Sequence, residues 1–334
     1  MTFESTLVAG EPLAPRTTMG VGGRARFFGV ARTETDVADA VGLADARGLP
    51  LVPLGAGSNV VVADAGLDAL VLGIGLRGIS VELRGVRARL TCAAGEPWGE
   101  VVDRAVAQGW AGVECLAGIP GLVGATPIQN VGAYGQQVSD TLVSVRALSR
   151  STRRIVDLPA SACAFAYRDS VFRSAERDQW IVLAVTFELV VGGEPRVAYA
   201  ELERHLAARS SRPTVREVSD AVVTLRRRKG MVLDRADSDT RSAGSFFVNP
   251  IVAAAEADAI EARAHASGAL PAAERMPRFA PETRDDDRVK VPAAWLIERA
   301  GIARGTSHGG AATSSKHALA IVNRGDATCA DVLG

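Results

Sequence analysis

Apolar and polar residues follow one another along this chain with the periods that distinguish helices from strands. Residues 34–48 carry an apolar side chain at every third or fourth position, and Gly48 and Pro50 are typical stop signals. This spacing predicts a helix over residues 34–48. The same reasoning predicts helices over residues 98–108, 200–206, 215–229 and 292–305.

Shorter apolar runs predict strands between these helices. LPLVPLG, residues 49–55, reads as a strand that ends in a glycine turn, and VVVAD, residues 60–64, begins a second extended run. Further extended runs are predicted over residues 69–72, 79–83, 88–93, 180–189 and 318–323.

Length and composition limit the class of protein. A chain of 334 residues exceeds the size at which one core usually stops growing, so we expect two or more domains. With 47% hydrophobic and 23% charged residues the chain has the composition of a soluble globular protein. The 38 basic residues equal the 38 acidic ones, which argues against a nucleic-acid or membrane-surface partner. Any binding of anions should therefore be local.

Cysteine spacing and the N-terminal sequence favour a reducing compartment. The four cysteines contain no CxxC pair, so neither a zinc site nor a disulfide framework is expected. Residues 1–20 lack the apolar run of a signal peptide, and the longest apolar stretch, residues 180–191, is too short to span a bilayer. We therefore expect a cytoplasmic protein.

A lone hydroxyl lies in the apolar segment AGSFFVNP, residues 243–250. Ser245 stands between a glycine and two phenylalanines, with Asn249 four residues later. This setting suggests a placed proton donor. A strand start whose hydroxyl bonds a nearby backbone group would give the same pattern.

Two glycine-rich segments are candidates for binding a phosphate-bearing cofactor. Residues 112–135 are apolar and rich in glycine, so bare backbone N–H groups should face an acceptor; an internal crossover between subdomains is the alternative. LGAGSNVVV, residues 54–62, lacks the third glycine of the dinucleotide fingerprint and precedes no helix. The two segments can still act together as loops around a diphosphate.

Basic residues and histidines add further candidates. Arg168 in YRDSVFR has the shape to hold a carboxylate, although charged residues beside strands are often solvated turns. LRRRK, residues 225–229, is either a phosphate clamp or a favourable end for the helix dipole. His308 and His317 lack the spacing of metal ligands, and His317 reads as a structural histidine.

Taken together, these segments closely resemble the family of UDP-N-acetylenolpyruvoylglucosamine reductases, over about residues 16–330. The resemblance rests on several independent motifs at matching spacing: LGAGSNVVV, GIPGLVGATPIQNVGAYG, YRDSVFR, AGSFFVNP, AAWLIERAG and GGAATSSKHALAIVN.

The resemblance implies an α+β fold with an FAD-binding domain of the p-cresol methylhydroxylase type, residues 16–195, and a smaller α+β substrate domain, residues 196–330. It implies that NADPH reduces FAD, which then reduces UDP-N-acetylglucosamine enolpyruvate for peptidoglycan synthesis. No histidine precedes His205, so we expect the FAD to be non-covalent.

The resemblance also assigns roles to residues. Ser245 matches the proton donor and Arg168 the arginine that holds the substrate carboxylate. Positions around the UDP-sugar match Tyr199, Arg226, Lys229 and Asn249. The segments that bind FAD match Leu54, Gly55, Ala56, Gly57, Ser58 and Asn59, and Gly118, Ile119, Pro120, Gly121, Gly124, Asn130, Gly132, Ala133 and Tyr134. No metal is implied.

One departure leaves alternatives open. The family continues past the GGAA segment into a helix and a strand whose glutamate completes the catalytic set, and the sequence in hand stops at Gly334. We expect either that the natural chain continues or that a partner group substitutes. A flavin oxidase of the same fold with another substrate, or an inactive flavin- and nucleotide-binding protein, are the other hypotheses.

Overall fold

A mixed four-stranded sheet lies at the N-terminal end of the protein in the computed structural model, which describes residues 2–207, 211–281 and 287–334. Its strands run in the order β1-β2-β4-β3, where β4 is parallel to both of its neighbours and β1 is antiparallel to β2. The bounds are β1 (Val8–Pro12), β2 (Arg24–Ala31), β3 (Leu51–Leu54) and β4 (Leu67–Ile74).

Helix α1 (Glu34–Ala46) joins β2 to β3 and covers one face of this sheet. It begins with a capping box in which Thr33 and Asp36 each accept a backbone N–H of the other. The apolar face predicted from the spacing packs against Leu70 and Leu72 of β4 in one buried cluster.

The second sheet is antiparallel and is built around one long strand. Its order is β11-β10-β12-β6-β5, with β7 added on β12, and a short hairpin of β8 and β9 lies beside it. The bounds are β5 (Ile79–Arg84), β6 (Arg87–Ala93), β7 (Trp110–Ala111), β8 (Gly132–Ala133), β9 (Gln136–Gln137), β10 (Leu142–Ser149), β11 (Ile155–Pro159) and β12 (Trp180–Val191).

Three helices accompany this sheet: α2 (Trp98–Ala107), α3 (Ala200–Leu206) and α4 (Val215–Arg228). Val218 and Val222 of α4 lie in the same buried cluster as Val102 of α2 and Leu116 of the glycine-rich segment. Because its apolar face is fixed there, α4 ends with its basic residues beside residues 118–134.

The C-terminal part contains a third sheet in the order β13-β18-β17-β16 and a separate pair of strands, β14 and β15. The bounds are β13 (Ser242–Ser245), β14 (Ile251–Ala253), α5 (Ala254–Ala266), β15 (Arg288–Lys290), α6 (Ala293–Arg299), β16 (Ser307–His308), β17 (Ala311–Thr313), β18 (Ala320–Asn323) and α7 (Cys329–Leu333).

The third sheet docks on the N-terminal part through specific polar contacts. Asn323 donates its side-chain amide to the Met19 carbonyl at 2.9 Å, and Asp64 accepts the N–H groups of Cys329 and Ala330 at 2.7 and 3.0 Å. Met19 and Val21 are buried in a cluster with apolar residues of the C-terminal part. The segment around Met19 and Val21 is therefore packed against the C-terminal part.

Most predicted elements are confirmed, and two are corrected. Residues 60–64 form no strand, because the Ala63 carbonyl accepts from Gly23 and Gly66 instead of from a neighbouring strand. The helix predicted over residues 292–305 ends at Arg299, since Gly301 takes a left-handed conformation with φ +88°. Among the described helices, none has the length and apolar character needed to cross a membrane.

Candidate functional site

The two glycine-rich segments meet in space. Ser58 donates its hydroxyl to the Pro120 carbonyl at 3.4 Å, although the residues are 62 positions apart. Gly57 has φ +65°, and a Cβ there would lie 2.1 Å from the Arg16 carbonyl oxygen. The structure therefore brings together Leu54–Asn59 and Gly118–Gly121, as the sequence predicts for two cooperating loops.

A cavity of about 840 Å³ opens beside the first of these loops. Its wall includes Leu54, Gly55 and Ala56 together with the polar side chains of Arg16, Thr17, Thr18, Asp234, Arg235 and Arg241. Bare backbone, hydroxyls and arginines on one wall suit an anionic nucleotide. The second glycine-rich loop does not line this cavity.

Residues 124–134 pack closely under the same region. A Cβ on Gly124 would lie 2.5 Å from the Ala94 Cβ, so only glycine fits.

The side chain of Asn130 makes its hydrogen bonds within the protein. Its Nδ2 donates to the Gln137 side chain and the Ala166 carbonyl, and its Oδ1 accepts from the Ser139 N–H. Any contact from Asn130 to a cofactor would therefore come from its backbone. Ile119 packs against the main core, and Gly132 and Ala133 form strand β8.

A fully buried carboxylate, which the sequence reading missed, holds this region in place. Glu114 accepts the N–H groups of Gly112 at 2.7 Å and Arg196 at 2.8 Å, and the Gln136 side-chain amide at 3.3 Å. Because three donors from three segments share one charged acceptor, burial of the carboxylate is compensated. The sequence did offer a signal for this role, because Glu114 is an acidic residue within the otherwise apolar segment of residues 112–135.

Arg226 lies buried at the C-terminal end of α4, next to the glycine-rich loop. Its Nη2 donates to the Met231 carbonyl at 2.8 Å, whereas its Nε has no hydrogen-bond partner among the described residues. Burial lowers the pKa of this guanidinium to about 10, and the positive charge of Arg168 acts in the same direction. A buried N–H without a protein acceptor is satisfied by a water molecule, an ion or a ligand.

Lys229, the C-cap of α4, makes an ion pair with Glu201 of α3. Its ammonium also lies 5.5 Å from the centre of the Tyr134 ring, which in turn meets Tyr199 edge to face at 5.3 Å. Burial raises the pKa of both tyrosines, so both hydroxyls stay protonated. Tyr199, Tyr134 and Lys229 thus lie together at the C-terminal end of α4.

Arg168 is held by the backbone of the hairpin. Its Nη2 donates to the Gly132 carbonyl at 2.6 Å, and its own carbonyl accepts from Arg173 at 2.6 Å. The residue has φ +56°, a conformation that costs energy for a side chain of this size. Its guanidinium therefore sits at a fixed place beside β8.

Ser245 ends strand β13, and its exposed hydroxyl lies 3.3 Å from the Nε2 of His317. Burial, followed by the charges of Lys229, Arg304 and Arg226, lowers the pKa of His317 to about 4. Asn249 accepts the N–H of Ala293 at 2.9 Å and so caps helix α6. The sequence reading treated His317 as structural and missed its contact with Ser245.

Arg226 lies within electrostatic range of Arg168 and of His317, which contacts Ser245. Charge from Arg226 acts on His317 beside Ser245, and charge from Arg168 acts on Arg226. The side chain of Asn249, in contrast, accepts a backbone N–H at the start of α6. Within the described ranges no group of histidine, cysteine and acidic side chains could hold a metal ion.

Comparison with known families decides the assignment. The FAD binding domain family matches residues 25–158, and the C-terminal domain family of UDP-N-acetylenolpyruvoylglucosamine reductase matches residues 236–334. The UDP-N-acetylenolpyruvoylglucosamine reductase of Saccharopolyspora erythraea is 49% identical over 97% of this chain and 88% of its own length. The chain belongs to the UDP-N-acetylenolpyruvoylglucosamine reductase family. This confirms the resemblance seen in the sequence.

Other members of the reductase family agree. The Thermobifida fusca reductase is 47% identical over 96% of this chain and 89% of its own length. The crystal structure of the reductase from Thermus caldophilus superimposes with a TM-score of 0.63 at 25% identity, covering 98% of this chain and 91% of that one. The fold is therefore α+β, with an FAD-binding domain of the p-cresol methylhydroxylase type and a smaller C-terminal domain, and the protein is an FAD-dependent oxidoreductase of this family.

The residues present fit a flavin dinucleotide. The Gly57 backbone packs directly on the Arg16 carbonyl, and a Cβ on Gly121 would lie 3.2 Å from the Ser58 hydroxyl, so glycine at these positions lets the loops pack closely beside the cavity. The cavity lined by Leu54, Gly55 and Ala56 has the size of a nucleotide site.

Proposed function

We propose that this chain reduces the enolpyruvyl ether of UDP-N-acetylglucosamine to the lactyl ether of UDP-N-acetylmuramate, with NADPH as the source of electrons. Bound FAD, held at Leu54–Asn59 and the loop from Gly118 to Tyr134, would supply the hydride-transfer chemistry between NADPH and the substrate. The observation that carries the proposal is the position of the Ser245 hydroxyl, which meets a neutral histidine within the field of Arg226 and Lys229.

Ser245 is proposed to protonate the carbon next to the substrate carboxylate once hydride has reached the neighbouring carbon. A serine hydroxyl is a weak acid, so it serves only because the enolate that it meets is a strong base. General acid catalysis of this kind contributes roughly 10² to 10⁴ in rate.

Arg168 is proposed to hold the substrate carboxylate and the negative charge that develops on it. The Gly132 carbonyl accepts from the guanidinium, and the Arg173 side chain donates to the Arg168 backbone carbonyl, so side chain and backbone are both held before substrate arrives. A positive charge fixed in advance stabilises the transition state without the cost of moving it there.

The UDP-sugar is proposed to bind at Tyr199, Arg226, Lys229 and Asn249. The unpaired Nε of Arg226 supports this role, because a phosphate or carbonyl oxygen would satisfy it. For Lys229, a diphosphate would have to compete with Glu201. The non-covalent FAD is proposed to contact Leu54–Asn59 and the loop from Gly118 to Tyr134.

We further propose that the FAD-binding domain spans residues 16–195 and the substrate domain residues 196–330. Helix α4 falls in the second range, yet it shares a buried cluster with α2, so the two parts would form one continuous core. We also propose that the protein acts in the cytoplasm, in synthesis of the cell wall on which cell shape and division depend.

The experiment follows the colour of the flavin in the absence of oxygen. NADPH should bleach the yellow protein, and UDP-N-acetylglucosamine enolpyruvate should restore the colour with one lactyl product per flavin. A protein that stays bleached would overturn the proposal. Rapid recolouring by oxygen alone would indicate an oxidase, and tight binding without lactyl product would indicate a non-catalytic protein.

Ser245→Ala separates the two halves of the reaction. Bleaching by NADPH should be almost unchanged, whereas recolouring by the UDP-sugar should slow by roughly 10² to 10⁴. Ser307→Ala, which removes an exposed hydroxyl from β16 of the same sheet, is the matched control. If both half-reactions of Ser245→Ala fall together, Ser245 has a structural role.

A further inference from the structure

The hydroxyl of Ser245 has a histidine partner that sheet pairing holds in place. Ser245 is opposite Ala320 in the pairing of β13 with β18, and the Phe246 N–H donates to the Leu319 carbonyl at 2.8 Å. This pairing brings His317 Nε2 to 3.3 Å from Ser245 Oγ across 72 residues of sequence.

Hydrogen bonds to buried side chains hold the segment that carries His317 in place. The buried Ser314 hydroxyl accepts the N–H groups of Lys316 and His317 at 3.1 and 3.2 Å. Asp239, which is also buried, accepts the Ser315 N–H at 3.0 Å and the Ser315 hydroxyl at 2.6 Å. The imidazole therefore reaches Ser245 from a rigid loop.

The surroundings of His317 keep its ring neutral. Burial and the positive charges of Lys229, Arg304 and Arg226 hold its pKa near 4, while the charge of Glu201 acts in the opposite direction. A neutral imidazole carries one N–H donor and one lone pair, so its effect on Ser245 depends on which nitrogen bears the proton.

The two tautomers would act in opposite ways on a proton donor. If Nε2 were the acceptor, it would draw the serine proton toward itself and away from the substrate. If Nε2–H is the donor, it binds a lone pair of Oγ, leaves the serine proton free to point at the substrate, and stabilises the negative charge left on Oγ.

We propose that His317 is a positioning residue for the proton donor, with its Nε2–H donating to Ser245 Oγ. In the step itself the Oγ–H bond breaks, a C–H bond forms on the substrate, and the alkoxide then takes a proton from solvent. His317 keeps its own proton throughout. This role rests on the proposed function of Ser245.

The kinetic test compares His317→Ala with His317→Gln in the complete FAD-bound protein. Glutamine keeps an N–H donor near the position of Nε2, whereas alanine removes it. For His317→Ala we expect recolouring by the UDP-sugar to slow roughly 10- to 100-fold, the loss that a hydrogen bond to a developing charge accounts for, with bleaching by NADPH unchanged. His317→Gln should restore most of the rate. His308→Gln, an exposed histidine in β16, is the control.

A second measurement reads the tautomer without any turnover. Nitrogen-15 NMR of the wild-type protein, with His317→Gln used to assign the signal, should show a neutral ring protonated at Nε2 at neutral pH. A ring protonated at Nδ1 would overturn the proposal, and so would equal loss of rate in the alanine and glutamine variants. If instead the wild type fails to turn over the UDP-sugar, the proposed function fails while the tautomer still reports on the Ser245 contact.

Discussion

Several residues of the site adopt backbone conformations that side chains rarely tolerate. Asn130, Tyr134 and Arg168 have φ of +45°, +49° and +56°, and they are three of the six non-glycine residues with positive φ in the described part of the chain. Each such residue costs energy, so the surrounding hydrogen bonds must hold it in place. Half of these positions therefore lie where a ligand and a substrate are expected to bind.

Gly57 allows a direct test of this local constraint. Gly57→Ala adds a Cβ 2.1 Å from the Arg16 carbonyl at φ +65°, so we expect a loss of roughly 3 kcal/mol or more and loss of FAD. Gly48→Ala is the control, because φ is +61° and a Cβ would meet nothing within 4 Å. It should cost only about 1–2 kcal/mol. Urea unfolding measures the stability of both variants, and flavin retention measures their binding of FAD. Equal losses of stability in Gly57→Ala and Gly48→Ala would show that the clash with the Arg16 carbonyl is not the cause.

His317 should make stability depend on pH. Its pKa is about 4 in the folded protein against an ordinary value of 6.5, so below pH 6.5 the unfolded chain binds a proton that the folded chain does not. The wild type should therefore lose stability relative to His317→Gln as the pH falls from 6.5 to 4, with no relative change above pH 7.5. Urea unfolding across this range tests it, and parallel profiles would contradict it.

Among the elements, α4 links local sequence to the site. Thr214 and Glu217 form a capping box at its start, its apolar face is fixed in the main core, and its last turn carries Arg226 to the glycine-rich loop. The amphipathic spacing and the stop at Gly230 make this helix predictable from sequence.

Thr214→Ala should weaken α4 without altering the chemistry at its other end. Loss of the bond from the Glu217 N–H to the Thr214 hydroxyl should cost about 1 kcal/mol. Thr224→Ala, in the same helix, removes a hydroxyl that only bonds back to the Asp220 carbonyl, so stability should hold or rise. Urea unfolding distinguishes the two. A larger loss for Thr224→Ala would show that the cap does not limit stability.

Periodicity predicts elements but not the contacts between them. The helix over residues 34–48 follows from its own apolar spacing, whereas the loss of a strand at residues 60–64 depends on Gly23, which is far away in sequence. In the same way Ser245 was recognisable from its motif, but its contact with His317 arises from the pairing of β13 with β18. Long-range partners leave no trace in local spacing.

For the whole molecule, the packing of the C-terminal part on the N-terminal part joins the site. Asp64 caps α7, Asn323 binds the Met19 carbonyl, and Arg241, just before β13, lines the same cavity as Leu54. The nucleotide cavity is therefore built from both parts of the protein.

Asp64→Ala tests how strongly this docking holds. Two backbone N–H groups of α7 lose their acceptor, so we expect a loss of about 1–2 kcal/mol and weaker retention of FAD. Asp68→Ala, which removes an exposed carboxylate paired with exposed Arg26, should change stability by less than about 0.5 kcal/mol. Thermal unfolding with and without added FAD measures both. Matching values would show that α7 docks without Asp64.

The bond between Asn323 and Met19 also constrains the order of events on the ribosome. The two residues are 304 positions apart, so Met19 leaves the exit tunnel roughly 15–60 s before its partner does at ordinary rates of translation. During that interval the segment around Met19 and Val21, which is buried in the folded protein, is exposed to solvent. A nascent chain stalled before β18 should therefore present this segment to chaperones and proteases.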